Sequence, residues 1–228
     1  MAYPCRSARW DTTSSVGDLP RRSQRAYEQR PEAVKQWLNE QYPDIAQRAR
    51  TEGGEIHWGD ETGLVNTDVR GRGFAPKGKT PVTYAAGTRQ RLSMIATVTN
   101  RGCARWQIID GNFNSDRLIE FLELLIKDAG KKVFLILDNL RVHHSKPVKA
   151  WLEENKEKIE CFYLPSYSPE LNPEERLNSD LKQAIGSKVP VRTKEKLHAA
   201  VDDHMLMLQN NPERVASYFQ DPYIKYAA

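Results

Sequence analysis

Five consecutive apolar residues, Val133–Leu137, stand between the pair Lys131-Lys132 and the pair Asp138-Asn139. A run this short has no polar face to turn towards water. It fits a strand covered on both sides, so the chain must also supply the helices that cover it. Asp138 is then delivered to the end of that buried strand. One segment thus asks for a sheet flanked by helices and places a carboxylate at its rim.

The remaining pattern agrees. A helix is predicted from about Pro31, with Val34, Trp37 and Leu38 on one face, ending at Tyr42-Pro43. A second short helix, Ile45–Arg50, leads through Gly53-Gly54 to a strand at Glu55–Asp60. Residues 64–81 are rich in glycine and proline and read as a loop. Leu92–Thr99 and Ala104–Ile109 read as strands joined by the hairpin signal Asn100-Arg101-Gly102. Ser115–Ala129 carries Leu118, Phe121, Leu122 and Leu125 on one helical face and stops at Gly130. Ser145–Asn155 is a helix, Ile159–Leu164 a strand, and Asn172–Ile185 a helix; Thr193–Leu208 and Pro212–Phe219 form a helical tail. Three strands followed by strands alternating with helices predict an α/β fold, a mixed five-stranded sheet flanked by helices. The expected divisions are an unpatterned leader over 1–24, a helical lead-in over 25–54, the sheet-bearing domain over 55–190 and a helical extension over 191–228.

Composition narrows the function classes. The chain has 228 residues, 39% hydrophobic and 28% charged, as in ordinary globular proteins. No apolar run is long enough to span a bilayer, and the first residues lack the apolar core of a signal peptide. Cys5, Cys103 and Cys161 are odd in number and far apart, which fits a reduced, cytoplasmic protein. No Walker loop, dinucleotide fingerprint or Ser-His-Asp order is present, so no small-molecule substrate is expected. The net charge of +4 is mild, but Arg70, Arg72, Lys77, Lys79, Arg89, Arg91 and Arg101 fall in a stretch without an acidic residue from 69 to 101. A plain solvated face has the same look. As candidate phosphate contacts we take Arg70, Arg72, Lys77, Lys79 and Arg89.

Two further acidic markers accompany Asp138. HWGDETG brings Asp60 to the expected end of the first strand, and LPSYSPELNPEER brings Glu174 and Glu175 to the start of a helix. Each has an ordinary reading. Asp-Asn and Gly-Asp are turn pairs, and Asn172-Pro173 followed by Glu175 resembles a capping box. Capping does not account for the loop ahead of that helix, where Pro165, Pro169 and Pro173 stiffen the chain around Tyr167. Two aspartates and one helix-borne glutamate make a set of hard oxygen donors for divalent cations, and so for phosphoryl transfer on nucleic acid. Asn139, His143 and His144, close after Asp138, are candidate DNA contacts.

Taken together, HWGDETG (57–63), FAPKGKTP (74–81), LILDNLRVHHSK (135–146) and LPSYSPELNPEERLNSDLK (164–182) resemble the catalytic domain of DDE transposases of the Tc/mariner superfamily, in its bacterial insertion-sequence branch. YFQDPYIKYA (218–227) matches the usual end of that domain, and the resemblance covers roughly residues 25–226. It implies an RNase H-like fold with Asp60, Asp138 and Glu175 as catalytic residues and as ligands of two Mg²⁺ or Mn²⁺ ions. It further implies cleavage and strand transfer at transposon ends, with transposon-end and target DNA as partners, a homodimer when active, and a cytoplasmic, nucleoid-associated location. Register with the family selects Glu175 over Glu174, which is then expected to face solvent. Relatives carry an N-terminal helix-turn-helix region that residues 1–24 do not resemble, so the chain is expected to lack that DNA-recognition element. The alternatives are a non-catalytic DNA-binding or transposition-inhibiting remnant of a transposase, and another RNase H-like nuclease such as a Holliday-junction resolvase. Intact Asp60, Asp138 and Glu175 argue against the remnant, and the SPELNPEE helix start against the resolvase.

Overall fold

The computed structural model describes residues 26–66, 76–80, 82, 87–187 and 193–228. Its centre is a five-stranded sheet in the order β3-β2-β1-β4-β5. The strands are β1 (Glu55–Val65), β2 (Arg91–Val98), β3 (Ala104–Ile109), β4 (Val133–Leu137) and β5 (Ile159–Tyr163). β1, β2 and β3 pair antiparallel, whereas β4 runs parallel to β1 and β5 parallel to β4. The predicted mixed sheet is therefore present, with the buried run Val133–Leu137 beside β1 near its middle.

Helices cover both faces. On one lie α3 (Ser115–Ala129) and α4 (Lys146–Glu154), whose Leu118, Phe121, Leu122, Leu125 and Val148 pack on Ile95, Val133, Leu135 and Leu137. Asn114 caps α3 by accepting from the Arg117 N–H, and Gly130 ends it in the left-handed region at φ 61°. The other face carries α1 (Pro31–Gln36), α2 (Tyr42–Thr51), α5 (Glu174–Ser187), α6 (Lys194–Gln209) and α7 (Pro212–Ser217). Trp37, Tyr42, Trp58, Leu177, Leu197, Phe219 and Ala227 belong to one apolar core there. The lead-in and the tail thus bury their apolar residues against the sheet itself. The Trp37 indole N–H donates to the Tyr226 hydroxyl (3.0 Å), and that hydroxyl donates to the Leu171 carbonyl (2.9 Å).

Two expectations need correction. The first helix does not stop at Tyr42-Pro43. A π-helical turn over Trp37–Gln41 joins α1 to α2, and the Tyr42 N–H reaches back to the Trp37 carbonyl. Pro43 has no N–H to donate, so a widened turn ahead of it loses no bond there. The first strand also does not end at Asp60. β1 continues to Val65, with Asp60 opposite Ala96 and Val65 opposite Arg91. Its glycines are used in the sheet rather than in a turn. A Cβ on Gly59 would lie 3.0 Å from both Leu137 Cδ2 and Thr97 Cγ2, so only glycine fits without displacement.

Candidate active site

Alternation along β1 puts Trp58, Asp60, Thr62 and Leu64 on one face, and Trp58 and Leu64 lie in the core beneath α5. β1 and β4 pair as far as Trp58 with Ile136; the same register carried two residues on sets Asp60 level with Asp138. α5 then starts above this face and brings Glu175. Asp60, Asp138 and Glu175 line one cleft of about 370 Å³, whose other wall is Leu164 and the loop 165–169. A larger hollow of about 510 Å³, walled by Arg105, Trp106, Phe121 and Leu124, lies at the β3 edge and contains none of these carboxylates.

The electrostatics follow from this gathering. Burial, then the charges of Asp138 and Glu175, push the Asp60 carboxyl up to about 7, against the Glu61 N–H that donates to it at 2.8 Å. The Glu175 carboxylate accepts no hydrogen bond among the described residues, so it does not close the capping box that its position suggested. Among the described residues no three His, Cys, Asp or Glu side chains are already gathered tightly enough to hold an ion. As a donor set Asp60, Asp138 and Glu175 still fit a hard cation. They are oxygen ligands only, they border one cleft, and their mutual repulsion already raises Asp60.

Glu174 overturns an expectation. It is fully buried rather than solvent-facing, and it accepts from Asn178 Nδ2 at 2.5 Å. Burial first, and next the charge of Asp60, hold its carboxyl well above the usual range. The physical reason lies in the approach of α5, which packs its first turn onto the sheet. Two successive helical residues point about 100° apart, so Glu174 turns inward while Glu175 borders the cleft.

The other candidates divide. His143 is 1% exposed, and its Nδ1 faces both the carbonyl (3.0 Å) and Oδ1 (3.2 Å) of Asp138. Its ring is thus buried against Asp138, with little surface left for the DNA contact that the sequence suggested. Asn139 is exposed but tied, donating to the Leu164 carbonyl at 2.5 Å while its Oδ1 faces His144 Nε2 at 3.1 Å. His144 also leans on the Tyr163 ring, 4.3 Å between centroids. Lys77, Lys79 and Arg89 are exposed, whereas Arg70 and Arg72 lie outside the described residues, as does the segment 1–24.

Sequence reasoning missed how the loop is held. Tyr167 takes φ 58°, a left-handed conformation that costs a side-chain-bearing residue of order 1–2 kcal/mol, and its ring stays 59% exposed beside the cleft. Gln29 Nε2 reaches the Tyr167 carbonyl (3.2 Å), Ser168 Oγ (3.0 Å) and Glu170 Oε1 (2.6 Å), more acceptors than its two hydrogens can serve at once. Nothing in the polar sequence around Gln29 signals that contact.

With this geometry in place, comparisons with known proteins are informative. The family model described as "DDE superfamily endonuclease" matches residues 55–198, more than half of the chain. A 39 kDa protein of insertion element IS630 from Shigella sonnei is 33% identical over 133 residues, covering 57% of this chain and 38% of that protein. The chain therefore spans well under half the length of that curated relative. The fold is similar to the Mos1 strand transfer complex, with a TM-score of 0.64 at 15% identity, covering 93% of this chain and 67% of that one. It is also similar to the catalytic domain of Mos1 mariner transposase, with a TM-score of 0.55 at 13% identity, covering 88% and 97%. Sheet order, flanking helices and these likenesses agree on an RNase H-like fold. By the family model, which covers more than half of it, the chain belongs to the DDE superfamily endonucleases.

Proposed function

We propose that this chain is the catalytic domain of a transposase that cuts DNA at insertion-sequence ends and joins it to target DNA, with Mg²⁺ or Mn²⁺ as cofactor. The observation that carries the reading is the convergence of Asp60, Asp138 and Glu175 on one cleft from three separate elements. A binding module has no need to bring three repelling carboxylates together. Asp60, Asp138 and Glu175 would hold the ions, and a pair of divalent cations supplies charge neutralisation at the phosphate. The chain's own part is to place the oxygens, with His143 fixing Asp138 and the stiff 165–169 loop closing the opposite wall. Among solved proteins of this fold, the Mos1 paired end complex is known with Mn and with Mg.

DNA is the proposed partner, held by its phosphates at Arg70, Arg72, Lys77, Lys79 and Arg89, with Asn139 in the cleft and His144 beside Asn139. A homodimer acting in the cytoplasm at the nucleoid completes the reading. No described helix is long and apolar enough to cross a membrane. The test is nicking of supercoiled plasmid by the purified chain in Mn²⁺. Nicking that disappears with chelator and with Asp138→Asn supports the reading. A folded wild-type protein that binds plasmid without nicking it in Mn²⁺ favours the non-catalytic remnant instead.

A further inference from the structure

We propose that Asn172 is a positioning residue that sets the separation between Asp60 and Glu175. The proposal rests on the metal-dependent reading above and names the side chain that pre-arranges it.

Asn172 is 2% exposed and uses both ends of its amide. Its Oδ1 accepts from the Glu174 N–H at 3.1 Å, and its Nδ2 donates to the Gly59 carbonyl at 3.3 Å. Gly59 is the residue before Asp60, and Glu174 is the residue before Glu175. One buried amide therefore ties together the neighbours of two carboxylates that lie more than a hundred positions apart in sequence. A helix cap alone needs only an acceptor, which serine, threonine or aspartate would provide equally well. The donor end, spent on another element, is what a cap does not require.

Both anchor points are stiff. Gly59 lies in the paired stretch of β1, opposite Thr97, so the sheet holds its backbone in place. On the other side Pro173 and Glu174 are both buried at the helix start, so the first turn of α5 is packed against the sheet side of the domain. The place of Glu175 relative to Asp60 thus passes through Asn172. Sites of this kind need their first contacts held within about 0.5 Å. Partners one step behind metal ligands typically cost about 10–100-fold in affinity when removed.

The test uses Mn²⁺ alone as probe, with free ion read by electron paramagnetic resonance and thermal stability recorded alongside. Asn172→Ser keeps an acceptor for the helix end but cannot reach Gly59. Its Mn²⁺ affinity should fall by about tenfold or more. Ile185→Val trims the core contact of the same helix far from the cleft, and should lower Tm while leaving Mn²⁺ affinity at the wild-type value. Asp60→Asn gives the floor. Wild-type affinity in Asn172→Ser overturns the proposal, and so does an equal loss in Ile185→Val, which would mean general loosening. A folded wild-type chain that binds no Mn²⁺ overturns the metal-dependent reading itself, and the positioning role with it.

Discussion

Replacing Asp60 with asparagine should make the metal-free protein more stable, and the gain should depend on pH. In the folded chain Asp60 is raised from an ordinary 3.8 to about 7, first by burial and then by Asp138 and Glu175. Between those two values the folded state holds a proton that the unfolded state has released. Stability from this group is therefore lost as pH rises from about 4 to about 7, and the loss is complete above 7. A displacement of that size corresponds to about 4 kcal/mol, and partial water access reduces it to roughly 2–4 kcal/mol. Asparagine keeps an oxygen for the Glu61 N–H and carries no charge. In chelator at pH 8, Asp60→Asn should melt about 5–10 °C above wild type, and the two should converge near pH 4. Excess Mn²⁺ should stabilise wild type by about 2.7 kcal/mol at a hundredfold over its dissociation constant and do little for the variant. The assay is thermal melting of both proteins from pH 4 to 8, with and without Mn²⁺. The difference curve is what matters, because Glu55 and Asp180, held low by their partners, push the other way in both proteins. Identical melting at pH 8 in chelator would refute the crowded-carboxylate account.

Three more outcomes follow from named side chains. Glu175→Gln should abolish metal-dependent plasmid nicking, whereas Glu174→Gln, which replaces a buried carboxyl by a neutral isostere, should nick normally and change stability by less than about 1 kcal/mol. Tyr226→Phe removes the hydroxyl shared by Trp37 and Leu171 and should cost about 1–3 kcal/mol in urea denaturation; a loss below about 0.5 kcal/mol would show that the link is idle. Changing Lys77, Lys79 and Arg89 together to glutamine should flatten the dependence of log affinity on log salt by about 0.9 for each phosphate no longer neutralised, measured by fluorescence anisotropy on a duplex; an unchanged slope would remove them from the DNA surface.

Much of the fold was legible because periodicity reports which face of an element is covered. Val133–Leu137 announced a doubly covered strand, and α3 announced itself by Leu118, Phe121, Leu122 and Leu125 with Gly130 as its stop. What misled were residues whose local chemistry points one way and whose tertiary setting points another. Gly59-Asp60-Glu61-Thr62-Gly63 has the composition of a turn, yet pairing with β2 keeps it extended. Pro43 is a helix stop, yet a π-helical turn carries the chain past it. Glu174 looks like a first-turn surface carboxylate; it is buried because α5 meets the sheet at that turn, which no local pattern encodes. The acidic trio was identifiable as residues and, through the family resemblance, as a candidate site, but its geometry was not, since the convergence depends on the register of β1 with β4 and on where α5 begins. Contacts between distant segments, such as Gln29 with the 165–170 loop or Asn172 with Gly59, leave no trace in one sequence.

The central claim is that Asp60, Asp138 and Glu175 form the ligand set of a divalent-cation site. The most direct test is anomalous scattering from crystals of the chain soaked in Mn²⁺. The account predicts anomalous density in the cleft within about 2.0–2.6 Å of oxygens from all three carboxylates, with Glu174 still buried against Asn178. Density elsewhere on the molecule, or an ion bound by Glu174 with Glu175 turned to solvent, would contradict it.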